Sequence, residues 1–367
     1  MNRKNKANGS FLSPQGGNQR YLFIVLFIIV LSSCGSNKKA PDVSSVKVDL
    51  ATYRYEQDFF SIDTNHIATS IQALIKKYPR FTPDFIESIL GLDLDSLTIE
   101  GNGQAQAIKL FLHDYRSLKD SAELIYNDFS KESKEIKKAL QYVKYYFPEY
   151  SIPKNVITFI GPINANFETS FGTQGDILTP EGIGIGLTLH LGKNFSFYRS
   201  AEGREQYPDY MANNFDREHI TVNCMRNITD DLFPYKNDGD ALIEQMVERG
   251  KRFYLISKFL PETDENIIIG FTKLQMKDVM SHEALIWQFY LNNDLLNISD
   301  QNVVKNYIGE SPKTPELGEG APGNLGSFSG WQIVKKFMSQ NDKVSLQELM
   351  RMPPREVYQQ SKYRPRD

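Results

Sequence analysis

Apolar residues recur three and four positions apart over two long stretches of the chain, and this spacing predicts a largely helical protein. In the first stretch, "IQALIKKY" (71–78), "QAIKLFLHDYRSLKDSAELIYNDF" (106–129) and "KESKEIKKALQYVKYYF" (131–147) each present one apolar face. Pro79, Pro83, Pro148 and Pro153 punctuate them. In the second, the same spacing runs through "EHITVNCMRNITDDLF" (218–233), "GDALIEQMVERGKRFYLISKFL" (239–260) and "TKLQMKDVMSHEALIWQFYLNNDLL" (272–296). Strand-like text is scarce. Val46, Val48 and Leu50 alternate with Lys47, Asp49 and Ala51, which predicts a first strand. The runs "NVITFIG" (155–161) and "GIGIGLTLHLG" (182–192) predict two more. With no repeat and no Pro/Ser linker in the middle, residues 46–367 are expected to form one mainly helical α+β domain with a small sheet.

The first 45 residues follow another pattern. "YLFIVLFIIVL" (21–31) is unbroken apolar text behind a basic lead. It is too short for a bilayer span, which takes about twenty residues, and it fits the apolar region of a secretory signal. "LSSC" (31–34) then places small residues before a cysteine, as in a bacterial lipobox. Residues 1–33 are expected to be a removed signal peptide. Cys34 would carry acyl chains, palmitate among them, and residues 34–45 would be a polar tether to the membrane. Cys34 and Cys224 are the only cysteines, so an acylated Cys34 leaves no intramolecular disulfide.

Composition adds two exclusions. The formal charge is −3, but residues 1–33 hold four of the 42 basic residues and no acid. The remainder sets 38 basic against 45 acidic residues, a net −7. That balance gives no electrostatic footprint for nucleic acid, and no such partner is expected. With 40% hydrophobic residues the body has ample material for its own core.

Candidate chemistry is incomplete at each place it is suggested. "MSHEALIWQFY" (280–290) starts like a zinc helix at His282 and Glu283, but Ile286 stands where the second histidine belongs. "EHITVN" offers His219 and Asn223 at zinc-helix spacing, with Glu248 on the following helix. There Asn223 replaces a histidine and Ile220 occupies the general-base position, leaving nothing to activate a water. His219 and Glu248, with His190 as a further ligand, are the candidates for an atypical zinc peptidase, the alternative reading. Zinc belongs to that alternative alone. Otherwise no catalytic residue and no cofactor beyond the lipid is expected. Cys224 lies five residues from His219, about 140° away around a helix, and is expected to be buried. Gly182, Gly184 and Gly186 do not form a dinucleotide fingerprint, because the text continues as a strand. They suit close sheet packing or a peptide-binding edge. The Gly/Pro-rich segment 310–330 leads into a helix expected near Trp331, whose first N–H groups suit an anion or a partner's carboxylate.

Taken together, "VDLATYRYEQDFF", "GIGIGLTLHLGKNF", "YPDYMANNF", "LIEQMVERGKRFYLISKFLP", "EALIWQFYLNNDLL" and "GSFSGWQIVKKFM" resemble the gliding-motility lipoprotein B (GldB) family of Bacteroidetes. The resemblance spans the mature chain. It implies an envelope lipoprotein needed for gliding and for the associated type IX secretion machinery, with other components of that apparatus as partners. The family is also distantly similar to zincin-like peptidases. On that mapping the glycine strand is an edge strand, "HITVN" stands where HExxH would, and the fold is a degenerate zincin. The expected function is a non-catalytic scaffold or peptide-binding module, with Gly182, Gly184, Gly186 and Trp331 as candidate partner contacts. "GSNKKA", behind Cys34, is basic and free of acids, which favours the periplasmic face.

Overall fold

The computed structural model describes residues 40–99, 103–235, 239–309, 311–318 and 320–366. The expected signal peptide and Cys34 lie outside them. Asp42–Asp367 forms one compact unit. It begins before position 46, because Val43, expected in the tether, is fully buried.

A four-stranded sheet runs in the order β1 (Ala51–Arg54), β2 (Asn155–Phe159), β6 (Ile183–Gly186), β5 (Ile177–Leu178). The first three strands are parallel, and β5 is antiparallel to β6. A short hairpin, β3 (Phe167–Thr169) and β4 (Gly172–Gln174), stands apart. Val156, Ile157, Ile183 and Ile185 are wholly buried, as befits parallel strands covered on both faces.

The first strand differs from its expectation. It starts at Ala51, paired with Asn155, and not at Val46. Continuing the register would set Asp49 against Pro153, which has no N–H to give. Val48 is buried without entering a ladder. The strand also stops early, because helix α1 (Tyr55–Phe60) follows at once. Glu56 of α1, buried, accepts from Arg54 Nε at 2.6 Å and from Thr158 Oγ1 at 2.6 Å, fastening the turn onto β2.

Most of the expected helices are present. They include α2 (Ile67–Lys77), α3 (Gln104–Asp114), α4 (Arg116–Ile125), α5 (Ser130–Tyr146), α6 (Ile220–Leu232) and α7 (Leu242–Phe259). The text 272–296 divides at His282 into α8 (Lys273–Ser281) and α9 (Glu283–Asn292). Ile286, Trp287 and Tyr290 of α9 are buried, so this face packs into the core. His282 Nδ1 bonds the carbonyl of Asp278 at 2.8 Å, and Glu283 accepts from the Tyr363 hydroxyl at 2.5 Å.

The last long helix, α10 (Leu325–Gln340), starts six residues before Trp331 and takes in the glycine-rich "LGSFSG". Glycine disfavours a helix interior by about 0.5–1 kcal/mol relative to alanine. Tertiary packing offsets that here. A Cβ on Gly330 would lie 1.7 Å from the Met246 carbonyl oxygen, and one on Gly250 would lie 2.2 Å from that of Gly330. Helices α7 and α10 therefore cross with their backbones nearly touching, which no larger residue permits.

Candidate functional site

Two features meet near the start of α6, a buried polar network and an open cleft. Asp176 lies just before β5 and is fully buried. Its Oδ1 accepts from the Gly186 N–H at 3.1 Å, and its Oδ2 accepts from Asn223 Nδ2 at 3.0 Å. His190 Nε2 lies 3.0 and 2.8 Å from the two carboxylate oxygens. The other ring nitrogen, Nδ1, lies 3.1 Å from the carbonyl oxygen of Asp216. Both ring nitrogens thus face acceptors, and only a doubly protonated imidazolium satisfies both. Burial works against that charge, but the Asp176 carboxylate prevails and raises the His190 pKa.

Asp216 is also the cap of the short turn Arg217–His219 that opens α6. Its Oδ1 accepts from the Glu218 and His219 N–H groups and stands 2.8 Å from His219 Nδ1. Burial pushes the Asp216 pKa up, but His219 and the backbone N–H groups of Glu218 and His219 together outweigh it, and the net shift is downward. His219 is 4% exposed, and its Nε2 has no hydrogen-bond partner among the described residues.

This arrangement bears directly on the atypical zinc reading. His190 and His219 do meet, through Asp216, but Glu248 belongs elsewhere. Its carboxylate lies 2.6 Å from Lys251 Nζ and 3.5 Å from Arg252 Nε, so two cations already hold it. A doubly protonated His190 has no lone pair for a metal. Among the described residues, no group of three or more His, Cys, Asp or Glu side chains is placed to hold a metal ion. Ile220, at the general-base position, is wholly buried. Cys224 is buried too, and burial pushes its thiol pKa well up, away from nucleophilic use. These residues do not fit a catalytic zinc.

The glycine strand is not an edge. β6 lies between β2 and β5, and past β5 the Gly186 N–H goes to Asp176. A Cβ on Gly182 would sit 2.3 Å from the Asn155 carbonyl oxygen. One on Gly184 would meet Ile177 at 2.9 Å, and one on Gly186 the Gly175 carbonyl oxygen at 2.3 Å. Close sheet packing accounts for all three, and no strand can be added along β6. Trp331 is likewise no surface contact, since it is 0% exposed.

Trp331 instead supports the second feature. Its ring stacks on Phe253 of α7 at 5.6 Å, and Phe253 meets Phe171 of the hairpin edge-on at 5.3 Å. The Arg226 guanidinium of α6 lies 5.5 Å from the centre of the Phe171 ring. Phe253, Phe171 and Arg226 line a cleft of about 360 Å³. Its walls come from residues within 208–214 and 269–275, together with 311–312 and 322–324. Gly270, at φ 86°, turns the second wall where a side chain would press on Asn214. Arg226 is fixed from below, Nη1 donating to Asn223 Oδ1 at 3.3 Å and Nη2 to the Ile268 carbonyl at 3.2 Å. One chain of hydrogen bonds therefore runs from His190 through Asp176 and Asn223 to the cleft floor.

A model of the family described as gliding motility protein GldB matches residues 36–365. The chain belongs to that family. GldB is a family of gliding-motility lipoproteins, which associates this member with the cell envelope. No curated protein and no solved structure matches the chain. Among the described residues, no helix is long and apolar enough to cross a membrane.

Sequence reasoning found His190, His219 and Asn223 but missed Asp176, Asp216 and Arg226. Arg226 carried one available signal, since it follows Asn223 by three positions and shares its helix face. Asp176 carried none, because its importance depends on a loop folding back beneath β6.

Proposed function

We propose that this GldB-family protein is a non-catalytic binding module of the gliding apparatus, held to the envelope by acylated Cys34 and facing the periplasm. The observation that carries the reading is the state of the polar network. Where a peptidase needs exposed ligands and a base, this chain has the His190 imidazolium and the Asp176 carboxylate bonded to each other in the core. Such a network stiffens the floor of the cleft and performs no turnover. The cleft is the working surface, and its partners are other components of the gliding and type IX secretion machinery.

The test is gliding in cells whose own copy is replaced. His219→Ala, at normal abundance on an immunoblot, should glide as the wild type does. Loss of gliding at unchanged abundance would favour a reaction that uses His219. Cys34→Ala should lose both lipid labelling and gliding, and normal labelling of that variant would remove the anchor.

A further inference from the structure

We propose that α5 lies against the membrane that holds the anchor, its lysine row meeting the phosphates of anionic phospholipids and Tyr145 resting among the headgroups. This rests on the acyl anchor of the proposed function and adds which face of the body turns to the lipid.

The 17-residue α5 carries five lysines, Lys131, Lys134, Lys137, Lys138 and Lys144. Lys131, Lys134, Lys138, Gln141 and Tyr145 recur three and four apart and share one face, about 21 Å long at the helical rise. Of the two carboxylates on α5, Glu132 is buried and held by Arg217 Nε at 2.7 Å, and Glu135 stands 3.9 Å from Lys131. Lys134, Lys137 and Lys138 are exposed and pair with no carboxylate among the described residues. Asp42 and Asp128, the acids nearest Lys138 and Lys134, accept instead from Ser44 and Ser130. Lys144 is held at the helix end by the carbonyls of Pro148 and Tyr150, which leave its charge unneutralised. The chain beyond residue 33 is acidic overall, so this row of cations stands against the general balance.

The lipid is identified by where the chain enters the body. Val43 is fully buried, and the Val46 carbonyl accepts from Gln141 Nε2 at 2.8 Å. Thr52 Oγ1 lies 2.7 Å from Ser133 Oγ, so residues 46–52 run beside α5. Nine residue steps separate Cys34 from Val43, a span of at most about 30 Å. Lys38 and Lys39 add two cations along it. An anchored Cys34 therefore keeps the lysine face close to a headgroup surface, where acyl chains and a basic patch reinforce each other. Long lysine stems with point charges, and no cavity between them, suit a fluid array of phosphates better than one shaped ligand. Tyr145 is 49% exposed at the end of the row, an apolar ring with a polar tip of the kind that favours membrane interfaces.

The experiment adds the full-length acylated protein to vesicles of phosphatidylcholine, alone or with about one third phosphatidylglycerol. With Cys34 acylated and Cys224 buried, Tyr145→Cys supplies one reactive thiol for a nitrobenzoxadiazole fluorophore. Lipids spin-labelled near the headgroup should quench it at least about threefold more on the anionic vesicles, and about 0.5 M salt should remove the difference. Lys134→Gln, Lys137→Gln and Lys138→Gln together should abolish the quenching with Tm unchanged, and the three arginine replacements should retain it. Equal quenching on both vesicles, none on either, or full quenching of the folded glutamine variant would each overturn the proposal. No quenching would leave the row to water or to an acidic protein partner. Flotation of the same samples reports on the anchor separately. Protein that floats with both vesicles but is not quenched keeps the anchor and loses the lysine contact. Protein that floats with anionic vesicles alone, and is quenched there, loses the acyl anchor and keeps the contact.

Discussion

The polar network and the cleft share α6 yet obey opposite rules. Asp176 and His190 are charged and sealed, at 0% and 1% exposure, and spend their hydrogen-bonding capacity on each other and on nearby groups. Three residues along α6 from Asn223, Arg226 reaches a cleft walled by connecting segments. A buried charge is tolerated only when fully partnered, so the network serves structure. Groups beside a cavity can serve a ligand. Proximity to histidine is thus a poor guide to function here, and the better guide is which polar groups border open space.

Breaking the network should produce the largest effect. Asp176→Ala leaves the His190 imidazolium and Asn223 without their acceptor, and should cost about 3–5 kcal/mol of stability in urea unfolding. A loss below 1 kcal/mol would show that the network is not structural. Next comes the frame beneath the cleft. Gly330→Ala forces α7 and α10 apart and should cost about 1–3 kcal/mol or more, read as a lowered Tm. An unchanged Tm would mean that the helices can slide to make room.

Titration sharpens the contrast without any mutation. His190 has a raised folded pKa, so its contribution is full below the unfolded value of about 6.5 and is lost as pH rises through the folded value. Stability attributable to the pair should fall by up to about 1.4 kcal/mol per pH unit across that window. Asp216 acts in the opposite sense. Its lowered pKa gives stability that is present above about 3.9 and lost as pH falls through the folded value. Urea midpoints followed from pH 3 to 9 check both signs against a His190→Gln control. The smallest effect belongs to the cleft wall, where Asn213→Ala should change stability by less than about 0.5 kcal/mol. A larger loss would make the cleft part of the core and erase the distinction.

Much of the fold was legible because periodicity is local. The faces of "KESKEIKKALQYVKYYF" and "LIEQMVERGKRFYLISKF" needed no partner to be recognised as helical. Errors came where a distant segment decided the outcome. The strand expected from Val46 failed because its neighbour begins after Pro153. The helix expected near Trp331 began earlier because Gly330 fits against Met246, a partner far away in sequence. The site was legible only in fragments. His190, His219 and Asn223 drew notice by residue type, but Glu248 was joined to them by spacing alone and folds onto Lys251 and Arg252.

By itself, then, the sequence determined the helical class, the family and the absence of a complete HExxH motif. These depend on residue identity and short-range spacing. Tertiary structure alone decided that Asp176 would meet His190, that β6 would be enclosed, and that Arg226 would face a cleft. Each of those facts depends on which remote segment excludes water from a side chain or leaves it exposed, and short-range pattern carries no record of that choice.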